Sequence, residues 1–200
     1  MGLREQQARA ARQVITTAAL EVFLDAGYAN TTIDDIAEKA DVARRTIYNH
    51  FESKGAILLA CLDERIAGRE ERSLEEDHAR FVATEDPHEA VALFGEFTGR
   101  VIQRFLPLYR VAVEAAAYDG DVAKRLRAQE EGRFEAQAFA LRVLRDKGQL
   151  RTDVEFGHLH RGFWLLAGPR PVMDAVDSGW TLDEYIRYLT DVLQRFLLPI

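Results

Sequence analysis

The sequence contains a single cysteine, Cys61, and only five prolines among its 200 residues. One cysteine cannot form a disulfide within the chain, and such a composition is typical of proteins in a reducing cytoplasm. The low proline content and the lack of a long polar tract argue against extensive disorder. We therefore expect a folded protein with a sizeable apolar core, located in the cytoplasm.

Long apolar segments are also missing. The N-terminus contains basic residues but lacks the apolar segment of a secretory signal peptide. No run approaches the ~20 apolar residues that a membrane-spanning helix needs, and the stretch from Phe163 to Ala167 is followed by Gly168 and Pro169. We expect no membrane partner.

Positive charge is not in excess, because the formal net charge is −7. Proteins that bind nucleic acid without sequence preference usually carry a strong basic excess, so DNA binding would depend on a local cluster of cations. The sequence has no Gly-rich phosphate loop, no Gly-x-Ser-x-Gly motif and no convincing catalytic pair. We predict neither enzymatic activity nor a cofactor.

Apolar residues recur at helical spacing along the chain, whereas alternating β-branched runs followed by hairpin turns are lacking. This pattern predicts an all-α protein of nine or ten helices. We expect an N-terminal three-helix bundle in residues 1–52 and a larger helical bundle in residues 53–200. Within the second bundle, Pro107 predicts a break between one helix over 87–105 and another over 107–118.

Residues 31–54 predict two short helices joined by a turn at Asp41 and Val42, which is the helix-turn-helix arrangement. The second helix should turn Ile47 and Phe51 inward. Its other side then carries side chains suited to DNA, since arginine can donate two hydrogen bonds to guanine and asparagine can pair with adenine. Hydroxyl, imidazole and ammonium groups nearby suit phosphate oxygens. The candidate DNA-binding residues are Thr32, Arg44, Arg45, Thr46, Tyr48, Asn49, His50 and Lys54.

The run GYANTTIDDIAEKADVARRTIYNHFESKGAIL closely resembles the N-terminal signature of the TetR family of transcriptional regulators, and the resemblance covers about residues 10–60. It implies an all-helical homodimer with a DNA-binding domain in residues 1–52 and a ligand-binding and dimerisation domain in residues 53–200. Two positions depart from the family pattern. Asp41 stands where glycine is common, and Ala43 stands where a capping serine is common, which costs about 1 kcal/mol of helix stability.

The same resemblance implies the partners: a pseudo-palindromic double-stranded DNA operator, a small-molecule effector and a second copy of the chain. Repression is the commoner mode of the family. Residues 180–198 resemble the last helix of many members, which pairs with its copy and with helix 8 at the dimer interface. The candidate interface residues are Phe163, Trp164, Tyr185, Leu189, Val192 and Phe196.

Aromatic and polar side chains on the C-terminal helices are candidates to line a cavity for a small apolar or aromatic ligand. For each of them, ordinary core packing or a solvent-facing position is the alternative interpretation. The candidate ligand-binding residues are Phe97, Phe105, Tyr109, Glu114, Tyr118, Phe134 and Gln137.

Two other functions stay open at this point. Glu155 and His158 are three residues apart on one predicted helix, a spacing found in carboxylate-bridged metal sites, but the sequence contains no second Glu-x-x-His. The alternative function is therefore a helical ligand-binding or metal-dependent protein with a vestigial DNA-binding module. Cys61 is interpreted as a small buried apolar residue, with redox sensing as the alternative.

Overall fold

The computed structural model describes residues 2–66 and 74–199, which form ten α-helices and no strand. The predicted all-α class is confirmed. None of the described helices is both long enough and apolar enough to cross a membrane. The helices are α1 (Leu3–Asn30), α2 (Ile33–Lys39), α3 (Arg44–Tyr48), α4 (Lys54–Ile66), α5 (Leu74–Ala83), α6 (Pro87–Ala115), α7 (Gly120–Asp146), α8 (Phe156–Leu166), α9 (Pro169–Asp177) and α10 (Leu182–Leu197).

Packing divides the chain into two compact units. Unit 1 comprises Met1–Gly68 and Phe105–Gln129, and unit 2 comprises Arg69–Arg104 and Glu130–Ile200. The predicted boundary after residue 52 is not a packing boundary, because α4 and parts of α6 and α7 belong to the same unit as α1 to α3. The assignment of functions to residues 1–52 and 53–200 stays a prediction.

The core of unit 1 is built from apolar side chains that the first four helices turn toward one another. Fully burying one such side chain stabilises a fold by roughly 1.5–3 kcal/mol, so a few of them hold short helices in place. The side chains with 0% exposure include Ile15 and Phe23 on α1, Ile36 on α2, Ile47 on α3, and Ile57 and Leu58 on α4.

Local chemistry sets the ends of α1 and α2. Gly27 has a φ of 78°, so the helical path of α1 breaks there, and only one further turn follows. Thr32 caps α2: its Oγ1 accepts the Asp35 N–H at 3.2 Å, while its own N–H donates to the Asp35 carboxylate at 2.8 Å. The Thr32 hydroxyl also donates to Oδ2 of Asp35 at 2.7 Å, and together with the Thr32 N–H it lowers the pKa of the Asp35 carboxyl.

The ends of α3 and α4 also follow from single residues. Asp41 adopts a left-handed conformation with a φ of 52°, which lets the chain turn between α2 and α3. Ala43 precedes α3 and supplies no side-chain cap. Ser53 supplies one for α4, since its Oγ accepts the Ala56 N–H at 3.0 Å.

The predicted break at Pro107 was wrong, because α6 runs through it as one helix from Pro87 to Ala115. A proline inside a helix removes one backbone hydrogen bond and crowds the preceding turn. Here Pro107 is exposed, while Leu106 and Leu108 on either side are buried. Burial on both sides of the proline outweighs the local cost.

Glycines allow close helix packing in unit 2. A Cβ atom at position 162 on α8 would lie 2.5 Å from Cζ and 2.6 Å from Cε1 of Phe196 on α10. Similarly, a Cβ at position 95 on α6 would collide with the Thr190 hydroxyl on α10. The sequence analysis did not identify either contact, because the partners are distant in the chain.

We therefore predict that Gly162→Ala destabilises the protein by about 1–3 kcal/mol through overpacking against Phe196. Gly132→Ala is the matched control, because no atom lies within 4 Å of its added Cβ. Since alanine favours helices over glycine by ~1 kcal/mol, the control should be neutral or stabilising. Urea unfolding of both variants is the measurement, and equal stabilities would contradict the close α8–α10 packing.

Candidate nucleic-acid interface

The short helix α3 has one buried side and one exposed side. Ile47 is 0% exposed and Phe51, three residues beyond the helix, is 4% exposed. On the opposite side Arg45 and Asn49 are exposed, and Tyr48 is 48% exposed. The polar side predicted to face DNA is therefore accessible and does not pack against the protein's own core.

Arg12 on α1 holds the C-terminal end of α3. Its Nη1 donates a hydrogen bond to the His50 carbonyl oxygen at 2.6 Å, and its guanidinium lies 4.2 Å from the centre of the Phe51 ring. A cation close to an aromatic face is attracted by the ring. Arg12 is a positioning residue that the sequence analysis missed, because 38 positions separate it from His50.

Arg44 lies along the protein surface between α2 and α3. Its Nη1 donates to Oδ2 of Asp34 at 2.9 Å, and its Nη2 lies 3.4 Å from the Tyr48 hydroxyl. The guanidinium carbon is 5.7 Å from the centre of the Tyr48 ring. Arg45 has no such partner among the described residues. Two neighbouring arginines thus differ, since one is held in place and the other is not.

Lys54 has a structural role that the sequence analysis did not predict. Its ammonium group donates to the carbonyl oxygens of Tyr28 and Thr31, both at 2.6 Å, and lies 4.1 Å from the centre of the Tyr28 ring. Burial lowers the pKa of Lys54. Two of its three N–H donors thus hold the junction of α1 and α2, and the predicted phosphate contact stays a prediction.

The remaining candidates for DNA contacts lie on or beside the exposed side of α3. Thr46 and His50 are partly exposed, and Thr32 is exposed although its hydroxyl serves the α2 cap. With Arg44 paired to Asp34 and Lys54 turned inward, the positive charge on this face is smaller than the sequence predicted. Arg45 is the main uncompensated cation of α3.

Glu114, predicted to bind a ligand, instead binds the chain at the break in α1. Its Oε2 accepts the Tyr28 N–H at 3.1 Å and its Oε1 accepts the Ala29 N–H at 2.9 Å. The break at Gly27 leaves these N–H groups without helical partners, and the carboxylate satisfies them. Nearby, Asp119 accepts a hydrogen bond from the Tyr28 hydroxyl at 3.0 Å; burial, aided by this carboxylate, raises the pKa of Tyr28.

The other candidate ligand-binding residues are divided between the two units. In unit 1, Phe105 and Tyr109 are buried against each other edge to face, with ring centres 5.4 Å apart, and Tyr118 is 78% exposed. Phe97, Phe134 and Gln137 belong to unit 2, where Gln137 is buried. Ordinary packing or solvent exposure thus accounts for Phe105, Tyr109 and Tyr118.

Unit 2 contains an open groove of about 640 Å³ between α6 and α10 that none of the predicted ligand residues lines. A wholly apolar cavity beside Phe94 and Phe163 has a volume of only about 10 Å³, which is too small for a ligand. The groove is bordered mainly by charged and polar side chains: Glu96, Gly99, Arg100, Gln103, Leu182, Asp183, Ile186 and Arg187.

Three of the predicted dimer residues require correction. Phe163, Tyr185 and Leu189 are 2%, 5% and 1% exposed within one protomer, so their side chains cannot form an outer face. Each packs inside unit 2; the Tyr185 hydroxyl, for example, donates to the Leu166 carbonyl oxygen at 2.8 Å. Trp164, Val192 and Phe196 are partly exposed.

The apolar side chains that α8 and α10 do present to solvent include Leu165, 62% exposed, and Tyr188, 47% exposed. The sequence pattern could not separate these positions from the buried ones, because both helices carry apolar residues over more than half of their circumference.

The candidate metal pair and the cysteine have ordinary surroundings. Nδ1 of His158 lies 3.3 Å from Oε2 of Glu155, and both side chains are more than 70% exposed. Within residues 2–66 and 74–199, no group of three or more His, Cys, Asp or Glu side chains is arranged to hold a metal. Burial raises the pKa of Cys61 to about 12, which keeps its sulfur protonated and unreactive.

Residues 15–61 match the family model of the bacterial regulatory proteins of the tetR family. Among curated relatives, the transcriptional regulator TcmR of Streptomyces glaucescens is 43% identical over 58 residues, which are 29% of this chain and 26% of that protein. The matches to TcmR and two other relatives cover between 26% and 61% of their lengths, so this chain spans less than two thirds of each.

Solved structures with a similar fold match nearly the whole chain. A Saccharomonospora viridis protein assigned as a transcriptional regulator, solved in complex with choline, has a TM-score of 0.76 and 19% identity and covers 96% of this chain and 100% of its own. The SmeT–triclosan complex has a TM-score of 0.70 and 20% identity, and the match covers 95% of this chain and 92% of SmeT. At such identities these similarities establish the fold.

The contacts of Glu114 yield a prediction about the break in α1. Glu114→Ala should leave the Tyr28 N–H without its partner and destabilise the protein by about 1–3 kcal/mol. Amide hydrogen exchange should accelerate at Tyr28 and Ala29. Glu131→Ala, an exposed acid on α7, is the control and should change neither property. Unchanged exchange at both amides in Glu114→Ala would show that the carboxylate does not hold this junction.

Proposed function

We propose that this chain is a sequence-specific, DNA-binding transcriptional regulator of the cytoplasm, because residues 15–61 match the family model of the tetR bacterial regulatory proteins. The observation that carries the proposal is the division of α3 into a buried side, led by Ile47, and an exposed polar side, led by Arg45. A helix supported in this way can enter the major groove with its polar side chains against the bases.

The exposed side chains divide by their chemistry. Arg44, Arg45 and Asn49 are proposed to contact base edges, because their donors match guanine and adenine. Thr46 is proposed to face the groove beside them, and Tyr48, His50 and Thr32 are proposed to contact phosphates. Lys54 contributes indirectly, since it holds the carbonyl groups at the junction of α1 and α2.

A single copy of such a short helix contacts few bases, so we propose a homodimer on a pseudo-palindromic operator. Two recognition helices can meet successive major grooves when they are about 34–36 Å apart. The exposed apolar side chains of α8 and α10, Leu165 and Tyr188, support a two-fold contact through these helices.

We propose that a small organic molecule controls DNA binding and that the protein acts as a repressor released by that molecule. Two proteins of the same fold bind small ligands, choline in one case and triclosan in the other. Release requires only that the ligand bind a conformer of low DNA affinity more tightly than the DNA-bound conformer. The sequence favours an apolar or aromatic ligand, whereas the charged groove of unit 2 suits a polar one.

The alternative, a metal-dependent or ligand-binding protein with a vestigial DNA-binding module, is not favoured. Glu155 and His158 form an isolated surface pair, and the exposed polar side of α3 has no evident purpose in such a protein. We accordingly propose that the chain is not an enzyme.

The proposal predicts a defined DNA site and a role for α3 in recognising it. Selection from a random duplex pool should yield a pseudo-palindrome. Arg45→Ala should then weaken binding to that site by about 1–3 kcal/mol and relax preference at one base pair. Arg127→Ala is the control, because it removes an exposed arginine from α7 instead of α3. Enrichment of no common sequence, or equal losses in both variants, would refute the assignment.

The dimer is tested separately. Leu165→Glu combined with Tyr188→Glu should shift the protein toward monomer in analytical ultracentrifugation, because two charges would then be buried at the two-fold contact. Tyr118→Glu places a charge at a residue that is 78% exposed and outside α8 and α10, so it should leave the association state unchanged. A double variant that sediments like the unmodified protein would exclude this interface.

A further inference from the structure

A carboxylate lies on the exposed polar face beside α3, where a phosphate backbone would approach. Asp34, in the first turn of α2, pairs with Arg44, the first residue of α3, at 2.9 Å. The side chain of Arg44 is 57% exposed and that of Asp34 is 65% exposed, so the pair is accessible to a ligand as large as DNA. A negative charge at this position opposes DNA binding in general and therefore requires an explanation.

Stability does not provide that explanation. Ion pairs between exposed side chains contribute little to folding, because water screens the charges and ordering two side chains costs entropy. The capping hydrogen bonds of α2 do not need Asp34 either, since Asp35 exchanges them with Thr32. An acid in the first turn does favour the helix dipole, but for an exposed group only by roughly 0.3–1 kcal/mol. The contribution of Asp34 to folding is therefore small, and its contact with Arg44 is the feature that bears on DNA.

The contacts of Arg44 restrict its guanidinium from two sides. Asp34 accepts from Nη1, and the Tyr48 hydroxyl lies 3.4 Å from Nη2, with the Tyr48 ring beneath the group. A guanidinium has five N–H donors in a fixed plane, so these contacts leave about three for another partner. Arg45, one residue further on, has no comparable restraint among the described residues.

We propose that Asp34 is a specificity-determining residue that positions Arg44 for a base edge and opposes its contact with phosphates. This inference rests on the proposed DNA-binding function. A side chain ordered before binding loses less entropy when it forms its contact, and two hydrogen bonds to guanine demand a defined guanidinium plane. The neighbouring carboxylate repels phosphate oxygens. The affinity for DNA of any sequence is therefore lower, and the discrimination between sequences is greater.

The test uses Asp34→Ala in the full-length protein, with Glu38→Ala as the matched control. Both acids are exposed on α2, but only Asp34 contacts Arg44. Titrations use the selected duplex, single-base variants of it and a random duplex, each at several salt concentrations. Thermal melting of each variant confirms that it is folded, and Asp34→Asn, which keeps the side-chain shape, is measured in parallel.

Asp34→Ala should bind the random duplex more tightly and lose about tenfold in preference at one base pair of the selected site. In a plot of log affinity against log salt concentration, the slope for Asp34→Ala should be more negative by about 0.9. The reason is that Arg44 becomes free to make one additional phosphate contact. Glu38→Ala should raise affinity for every duplex alike and leave the preference intact. In an Arg44→Ala background, Asp34→Ala should no longer alter the preference.

If Asp34→Ala behaves like Glu38→Ala, or if its effect on preference persists without Arg44, the role of Asp34 is overturned while the proposed function stands. If the unmodified protein shows no preference for any duplex over a random one, the proposed function itself fails. The two failures are therefore distinguished by the unmodified protein alone.

Discussion

The burial of Ile47 and Phe51 is the constraint on which the candidate interface depends. Helix α3 has five residues, and an isolated helix of that length is unstable in water because nucleation costs more than so few hydrogen bonds return. It also lacks a side-chain cap at Ala43. Tertiary packing must therefore supply its stability, and Arg12 adds a contact at the end where the helical hydrogen bonds stop. Burial of Ile47 and Phe51 in the core fixes which side of α3 faces inward, and the polar side is therefore left exposed.

A second group of interactions holds the junction that precedes α2. The break at Gly27 leaves the N–H groups of Tyr28 and Ala29 without helical partners, and the Glu114 carboxylate accepts from both. At the end of α1 the Lys54 ammonium donates to the carbonyl oxygens of Tyr28 and Thr31. A negative and a positive side chain thus fix opposite ends of this junction, so the path of the chain into α2 is defined. The orientation of α2 in turn sets that of α3, through the turn at Asp41.

The exposed face beside α3 carries little uncompensated positive charge. The chain carries a net charge of −7, and of the cations at positions 44, 45 and 54 only Arg45 is both exposed and without an acidic or carbonyl partner. Affinity from general attraction to phosphates should then be modest. Under the proposed function, discrimination between sequences would come from groups held in defined positions, such as Arg44 with its contacts to Asp34 and Tyr48.

What the sequence alone determined was local. The turn at Asp41 was predicted correctly, and the capping pair of Thr32 and Asp35 and the break at Gly27 are features of the same kind, because each depends on interactions among residues a few positions apart. The inward direction of Ile47 follows from helical spacing in the same way. The tertiary structure decided the partners of Lys54 and Glu114, the continuity of α6 through Pro107, and the burial of Phe163 and Leu189. Those outcomes depend on contacts between groups tens of residues apart, and the free energies of these contacts exceed the local conformational preferences. The periodicity of apolar residues cannot say which of several apolar sides a helix will bury.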